Sequence, residues 1–371
     1  MLLDVDNAIP YLLERGHLSP RDVVEGTVRV TNVSRRNRNL RITRRGELGL
    51  LLKQAEAAGS TATLDNETSF YRMCHQDARG EPVRPLIPKL HGVEEADQVL
   101  LIELVEDARP LTLWRHRFDS AAFLTKVGGE IGRVLGVYHQ AFRSLIGTPS
   151  RHSARLGRNA PWVLWVHRPG PEILAELSAA NMKTLRILQQ KVELSQRLDQ
   201  LRKGWRTQSL VHCDIKADNL LVRGDPDGDI GITLVDWELA QLGDLAWDVG
   251  AMFKDFVADW IVSMPISKRR SSREMMEAAV HPLAGFQAGL RALWRSYQAA
   301  AELGSEANEF LVRASGYAGA WLVQSAYEAA QRAADLGNHE IMMLQVAANV
   351  LANPTEAALQ LFGIPMRGGL A

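Results

Sequence analysis

The sequence predicts an α+β protein with a small strand-rich lobe at the amino terminus and a larger, mainly α-helical lobe after it. Short apolar runs bounded by turn residues recur through the first hundred residues, which is typical of strands. After Pro110 the apolar residues recur instead at three- and four-residue steps, which is typical of helices. The sequence contains no internal repeat and no low-complexity linker. We therefore predict two lobes, 1–106 and 107–371.

The amino-terminal lobe is predicted to hold short helices, a five-stranded sheet and one longer helix. A helix begins the chain, and a second begins at Ser19-Pro20, a capping residue followed by proline at the first helical position. A helical stretch over 64–74 carries Glu67. The strands are predicted over 27–33, 39–44, 48–53, 86–91 and 99–105.

The carboxy-terminal lobe is predicted to be helical apart from one hairpin. In the helix over 119–142, Gly128, Gly132 and Gly136 lower the intrinsic helix propensity, so we interpret them as a site of close helix packing. A second helical pattern covers 172–205. The hairpin follows, with its two arms joined by the turn sequence GDPDGD, and helices occupy the chain from about residue 245.

Composition excludes several classes of protein. The 371 residues include 43 basic and 43 acidic side chains, so a generally basic nucleic-acid binder is excluded. Two cysteines are too few for a disulfide scaffold and fit a reducing compartment. The amino terminus lacks the pattern of a secretory signal, and no uncharged run approaches the roughly 20 residues that cross a bilayer. We expect a cytoplasmic protein without a membrane partner.

The strongest chemical signal lies in the predicted hairpin. It reads His-Cys-Asp-Ile-Lys-Ala-Asp-Asn over 212–219 and Leu-Val-Asp over 234–236. The spacing resembles the H-x-D-x-x-x-x-N catalytic loop of kinases, in which one carboxylate faces an acceptor hydroxyl while an amide and a second carboxylate hold a metal. Asp214 is then the candidate base, and Asn219 and Asp236 are the candidate Mg²⁺ ligands. The alternative is an ordinary Asp/Asn-rich turn between strands.

With the segment GDLAWDVG at 243–250, the chain resembles the kinase-like superfamily, in particular its aminoglycoside phosphotransferase and choline kinase branch. The resemblance implies a bilobal protein-kinase-like fold with ATP and Mg²⁺ in the cleft between the lobes. It also implies that Asp248 braces the catalytic loop, that Lys53 binds the phosphates and that Glu67 pairs with Lys53. The backbone from Glu103 to Val105 would then contact adenine.

The segment where this branch has a glycine-rich phosphate loop contains no glycine here. It reads NVSRRNRN over 32–39, so Ser34, Arg36 or Asn37 are candidates to replace the backbone contacts to phosphate. Seven arginines and no acidic residue lie between Arg29 and Arg45. The alternatives are a solvated hairpin or a patch that docks an acidic peptide.

The acceptor is indicated by two features. Lys216 lies two places after Asp214, where protein serine/threonine kinases carry a lysine that reaches the transferred phosphate. The opening pattern, AIPYLLERGHLSPRDVVEG with VTNVSRRNRNLRI and LLLKQ, resembles the phosphotransferases of class V lanthipeptide and thioamitide pathways. That resemblance implies transfer to Ser or Thr of a precursor peptide, followed by phosphate elimination by a lyase partner.

Two alternatives remain beside the peptide kinase. The first is a small-molecule antibiotic kinase of the aminoglycoside type, which would need an acidic acceptor pocket, and Glu328 is a candidate for it. The second is a pseudokinase that binds nucleotide or peptide and acts as a scaffold for a lyase. The set of Lys53, Glu67, Asp214, Asn219 and Asp236 argues against the pseudokinase, and the missing glycine loop argues for it.

Overall fold

The protein is described by a computed structural model that covers residues 1–34, 37–56, 58–225, 227–265, 267 and 271–366. It has the predicted α+β composition, with strands concentrated in the first part of the chain and helices in the second. The division into lobes between residues 106 and 107 stays a prediction.

The amino-terminal region is built on an antiparallel five-stranded sheet with the strand order β1-β2-β3-β5-β4. The fourth strand begins at Leu90 rather than at residue 86 as predicted. Pro85 and Pro88 flank this stretch, and residues 84–86 form a 3-10 turn because proline cannot donate to a sheet. The strands are β1 (Val28–Asn32), β2 (Arg38–Arg44), β3 (Glu47–Gln54), β4 (Leu90–Glu94) and β5 (Val99–Glu103).

The two faces of this sheet have different partners. One face is apolar and packs against the helix α1 (Ala8–Glu14); its buried residues include Leu40, Ile42, Leu50 and Leu52. Side chains alternate between faces along a strand, so Asn39, Arg41, Leu51 and Lys53 lie on the opposite face. We call this the cleft face, because Asn39 and Lys53 line a cleft.

Two further helices accompany the sheet. Helix α2 (Pro20–Val24) begins with the predicted cap, since the Ser19 hydroxyl accepts the Asp22 N–H and the Asp22 carboxylate accepts the Ser19 N–H. Helix α3 (Ala58–Gln76) carries Glu67. The Phe70 ring of α3 stacks on Trp237 with a centroid distance of 3.7 Å, which joins this region to the remainder of the chain.

The second part of the chain is mainly helical. The single pattern predicted over 172–205 is divided into three helices, because Ser178 and Lys191 interrupt it with extended or irregular backbone. The helices are α4 (Ala121–Ala141), α5 (Pro171–Glu176), α6 (Ala179–Gln190), α7 (Val192–Lys203), α8 (Leu245–Val262), α9 (Ser272–Glu277), α10 (Leu283–Ala300), α11 (Ala307–Ala329), α12 (Asn338–Ala352) and α13 (Pro354–Gln360). None of the helices in the described ranges is long and apolar enough to span a membrane.

The glycine stripe of α4 has the predicted role. A Cβ atom at Gly128 or Gly132 would clash with the backbone carbonyl of Gly289 or Leu293 on α10. Only glycine allows the two helix backbones to approach this closely. The glycines therefore allow α4 and α10 to pack at close range, as predicted.

Two small sheets position the loops of the predicted hairpin. Strands β8 (Leu220–Gly224) and β9 (Ile230–Leu234) form the hairpin, and β6 (Ala108–Pro110) pairs with β8. The first predicted arm is divided, because β7 (Ser209–Val211) pairs with β10 (Gln241–Gly243) instead. The segment between β7 and β8 therefore leaves one sheet and enters another, and residues 212–219 form the loop between them.

Candidate active site

The loop between β7 and β8 gathers three of the predicted site residues. The Asp214 carboxylate accepts hydrogen bonds from Lys216 Nζ at 2.6 Å and from Asn219 Nδ2 at 3.1 Å. Asn219 Nδ2 also donates to the Asp214 carbonyl at 2.9 Å. Burial by itself would lower the pKa of Lys216, but the charge and hydrogen bond of Asp214, together with the charges of Asp236 and Glu328, outweigh burial and raise it, so Lys216 stays cationic.

Asp236 is brought to this loop by the hairpin. The Val235 N–H donates to the Asn219 carbonyl at 3.1 Å, directly beyond the pair of Leu220 with Leu234. Asp236 itself has a φ of 69°, a left-handed conformation that costs a non-glycine residue roughly 1–3 kcal/mol and is typical of functional sites. The hairpin thus places Asn219 and Asp236 side by side, as the sequence predicts.

Lys53 reaches Asp236 from the sheet. Its ammonium group donates to both carboxylate oxygens of Glu67, at 2.9 and 2.8 Å, and to Asp236 Oδ1 at 2.9 Å. Burial by itself would lower the pKa of Lys53, but the two carboxylates outweigh burial and raise it. Burial likewise opposes ionisation of Asp236, but Lys53 holds the pKa of Asp236 below its usual value. Lys53 and Asp236 are therefore charged at neutral pH, whereas burial raises the pKa of Glu67 above its ordinary value.

Asp248 holds the catalytic loop from beneath. Its buried carboxylate accepts the backbone N–H of His212 at 2.7 Å and that of Cys213 at 3.1 Å. The Tyr138 hydroxyl donates to the same carboxylate, and His139 Nε2 lies 3.3 Å from it. Burial opposes ionisation, yet the hydrogen bonds of His139 and Tyr138 hold the pKa of Asp248 below its usual value. The bracing position that the sequence predicts for Asp248 is the one the structure shows.

The charged residues open into one cleft of about 540 Å³. Asn37, Asn39 and Lys53 line it from the sheet side, and the Asn37 amide donates to Glu238 at 3.2 Å. Asn39 was not predicted as a site residue. The register supplies the signal that finds it, because Asn39 is the pairing partner of Lys53 and shares its face.

A second wall of the cleft was not predicted from the sequence, apart from one residue. It is formed by Trp162, Tyr327, Glu328 and Gln324. The Trp162 and Tyr327 rings meet edge to face at 5.1 Å, and Gln324 Nε2 donates to Glu328 Oε1 at 2.9 Å. Of this wall, the sequence indicates only Glu328, and no local pattern links residues 162 and 327.

The remaining predicted residues lie around the cleft. The exposed Ser34 accepts the Asn39 N–H with its hydroxyl at 3.0 Å, and Arg36 lies outside the described residues. Glu103 ends β5, where its carboxylate accepts the Lys89 N–H at 3.1 Å, and the half-buried Val105 follows. The proposed roles of Ser34, Arg36, Glu103 and Val105 stay predictions.

Sequence comparison supplies the family. The family model described as "Phosphotransferase enzyme family" matches residues 27–299, which is more than half of the chain. The chain belongs to the phosphotransferase enzyme family. The prediction of a phosphotransferase enzyme in the kinase-like superfamily is thereby confirmed. No curated protein matches this phosphotransferase by sequence.

Solved structures show the same fold. Plasmodium vivax ethanolamine kinase is 12% identical, with a TM-score of 0.56 and a match that covers 92% of this chain and 87% of that kinase. Cryptosporidium parvum choline kinase is 10% identical, with a TM-score of 0.53 and a match that covers 96% and 98% of the two chains. The phosphotransferase therefore has the predicted kinase-like fold.

Proposed function

We propose that the protein is an ATP- and Mg²⁺-dependent phosphotransferase that transfers the γ-phosphate to an alcohol. The observation that carries the proposal is the convergence of Lys53, Asp214, Lys216 and Asp236 on one cleft, with Asn219 hydrogen-bonded to Asp214. The reaction breaks the bond between the β–γ bridging oxygen and the γ-phosphorus and forms a bond from the acceptor oxygen to that phosphorus. Such a transfer depends on positioning and on charge neutralisation more than on covalent help from the protein.

The donor atoms at the base of the cleft fit Mg²⁺. Asn219 turns its amide nitrogen toward Asp214, which leaves its oxygen as a ligand, and Asp236 supplies a carboxylate. Hard oxygen donors of this kind, with phosphate oxygens completing the shell, are what Mg²⁺ prefers. The described residues contain no cluster of three or more His, Cys, Asp or Glu side chains able to hold a metal. When bound, the metal neutralises phosphate charge.

Each of the other site residues has a role in this proposal. Lys53, oriented by Glu67, donates to the phosphates of ATP. In this proposal the adenine base contacts the backbone of Glu103 and Val105, and Ser34 and Arg36 bind the phosphates. Asp214 accepts the proton of the acceptor hydroxyl.

Lys216 supports a peptide acceptor. Its ammonium group contacts the Asp214 carboxylate at 2.6 Å, so a cation stands beside the atom that receives the acceptor proton. The Lys216 ammonium group would neutralise the negative charge of the phosphate that is transferred to the acceptor oxygen. We propose Ser or Thr of a ribosomally made precursor peptide as the acceptor. Elimination of the phosphate with the α-proton by a lyase partner would then give a dehydroamino acid.

The aromatic and acidic wall favours a second acceptor class. The same cleft is lined by the aromatic rings of Trp162 and Tyr327 and by the carboxylate of Glu328. Aromatic rings and a carboxylate together bind organic cations. A small cationic alcohol, such as an amino-alcohol or an aminoglycoside-type antibiotic, is therefore the second candidate.

Phosphorylation assays with MgATP separate these acceptors. Precursor peptides that carry Ser or Thr are compared with cationic alcohols, and the products are identified by mass spectrometry. Asp214→Asn is the inactive variant, and Asp218→Asn is its matched control, because Asp218 is exposed in the same loop and pairs with Thr112. Phosphopeptide formation by wild type and control but not by Asp214→Asn is the expected result. MgATP binding without transfer to any acceptor would favour the pseudokinase scaffold.

A further inference from the structure

Arg41 lies on the cleft face of the sheet. Its neighbours along β2, Leu40 and Ile42, are buried against the amino-terminal helices, so Arg41 must point to the opposite side. It is paired in register with Leu51, one step from the pair of Asn39 with Lys53. The Arg41 side chain therefore belongs to the same roof as two residues that line the cleft.

Along the strand direction, Arg41 lies between Lys53, for which we propose a contact to the phosphates, and the segment that follows β5. From Lys53 to Leu51 the strand moves about 6.6 Å, and a further step reaches Gly49. The Gly49 carbonyl accepts the Leu104 N–H at 2.9 Å, between Glu103 and Val105. The roof over the space from Lys53 to this segment is thus formed by Leu51 and Arg41.

Leu51, the other member of this roof, is half-buried and packs against the main hydrophobic core. A flat apolar group beneath the sheet would therefore meet the Leu51 side chain. Beside Leu51, the roof carries the guanidinium group of Arg41.

Arg41 is also the unengaged arginine of its strand. Arg38 pairs with Glu56 at 2.8 Å, and Arg44 pairs with Glu47 at 2.8 Å. Arg41 is exposed, and no hydrogen bond or ion pair joins its side chain to another residue in the described ranges. Its guanidinium is free to meet a ligand.

We propose that Arg41 contacts the base of the bound nucleotide, with its guanidinium plane stacked on the purine. The proposal rests on the proposed function and names a residue that sets nucleotide affinity apart from the phosphate contacts. Guanidinium groups stack on aromatic faces, and lysine lacks the planar group that does so. Because every purine has such a face, the contact serves ATP and GTP alike.

The test measures three ligands on three variants by calorimetry. ATP has base and phosphates, adenosine has only the base, and inorganic tripolyphosphate has only the phosphates. Arg41→Ala is compared with Arg41→Lys and with the control Arg45→Ala, which removes the same charge from an exposed turn of the hairpin. We expect Arg41→Ala to weaken ATP and adenosine by the same factor, about 2- to 30-fold, with tripolyphosphate unchanged. Arg45→Ala should change none of them.

Three results would overturn the proposal. In the first, Arg41→Ala weakens tripolyphosphate, or Arg41→Lys restores ATP but not adenosine, because Arg41 then acts as a charge on phosphate. In the second, only the affinity for an acceptor peptide falls, and the arginine belongs to an acceptor surface. In the third, Arg41→Ala binds ATP and adenosine as wild type does. In these cases ATP binding by the wild type still supports the proposed function, whereas a wild type that binds no nucleotide refutes both.

Discussion

The substitution Asp248→Asn is expected to weaken the fold and the reaction together. Oδ2 of Asp248 accepts from His212 N, Tyr138 and His139, and Oδ1 accepts from Cys213 N. An asparagine can keep its oxygen at the Oδ2 position, where it meets more donors. Its NH₂ group then faces the Cys213 N–H, and two donors cannot pair.

The magnitude follows from this lost contact. A hydrogen bond to a charged group contributes about 1.5–3 kcal/mol, and a buried donor without a partner costs about 1–3 kcal/mol. Cys213 also has a φ of 65°, a strained conformation that its bond to Asp248 helps to hold. We expect the free energy of unfolding to fall by about 2–4 kcal/mol. Because Asp214 follows Cys213 directly, a shift of about 1 Å would lower kcat by roughly 10²-fold.

Urea unfolding and steady-state kinetics measure the two effects. The KM for ATP should change little, because Lys53 and Glu67 do not contact Asp248. Asp218→Asn is the control, since it removes one carboxylate from the same loop at an exposed position. An Asp248→Asn protein with the stability and kcat of the wild type would refute the argument that this carboxylate holds the loop.

Four further predictions concern single positions. Asp214→Asn should lower kcat by about 10²–10⁴-fold while ATP affinity in calorimetry stays unchanged; near-normal turnover would exclude Asp214 as the base. Asp236→Ala should remove the Mg²⁺-dependent part of ATP affinity, so a titration in which Mg²⁺ still strengthens binding as in the wild type would contradict its role. Gly132→Ala should lower the unfolding free energy by at least about 1–3 kcal/mol, since its Cβ meets a backbone carbonyl of α10; an unchanged urea midpoint would be the contrary result. Burial raises the pKa of Asp259 to about 7 from an ordinary value of 3.8, so the folded chain binds a proton there that the unfolded chain releases. We therefore compare the unfolding free energy of the wild type with that of Asp259→Asn by urea unfolding at several pH values. The wild-type value minus the variant value should fall by roughly 4 kcal/mol as pH rises from about 4 to 7. A difference that does not change with pH would contradict the raised pKa.

The arrangement of Asp214, Asn219 and Asp236 was predictable from the sequence because its geometry is local. Asp214 and Asn219 are five residues apart in one loop, and the turn between β8 and β9 returns Asp236 to the same place. The resemblance to kinases indicated Lys53 and Glu67, and the strand and helix that carry them pack together and bring them into contact. The backbone conformation of a few residues, or one contact between neighbouring elements, decides each of these positions.

The amino-acid sequence by itself determined the α+β class, the glycine-packed helix and the charged residues of the catalytic loop. Only the tertiary structure decided the rest of the cleft. Trp162 and Tyr327 are in contact because a 3-10 turn packs against α11. Neither segment carries a sequence pattern that predicts this contact. Arg41 is one of seven similar arginines in the sequence, and only strand register assigns it to the cleft face. Local spacing encodes what nearby backbone holds together, whereas a wall built from distant segments depends on packing of the whole chain.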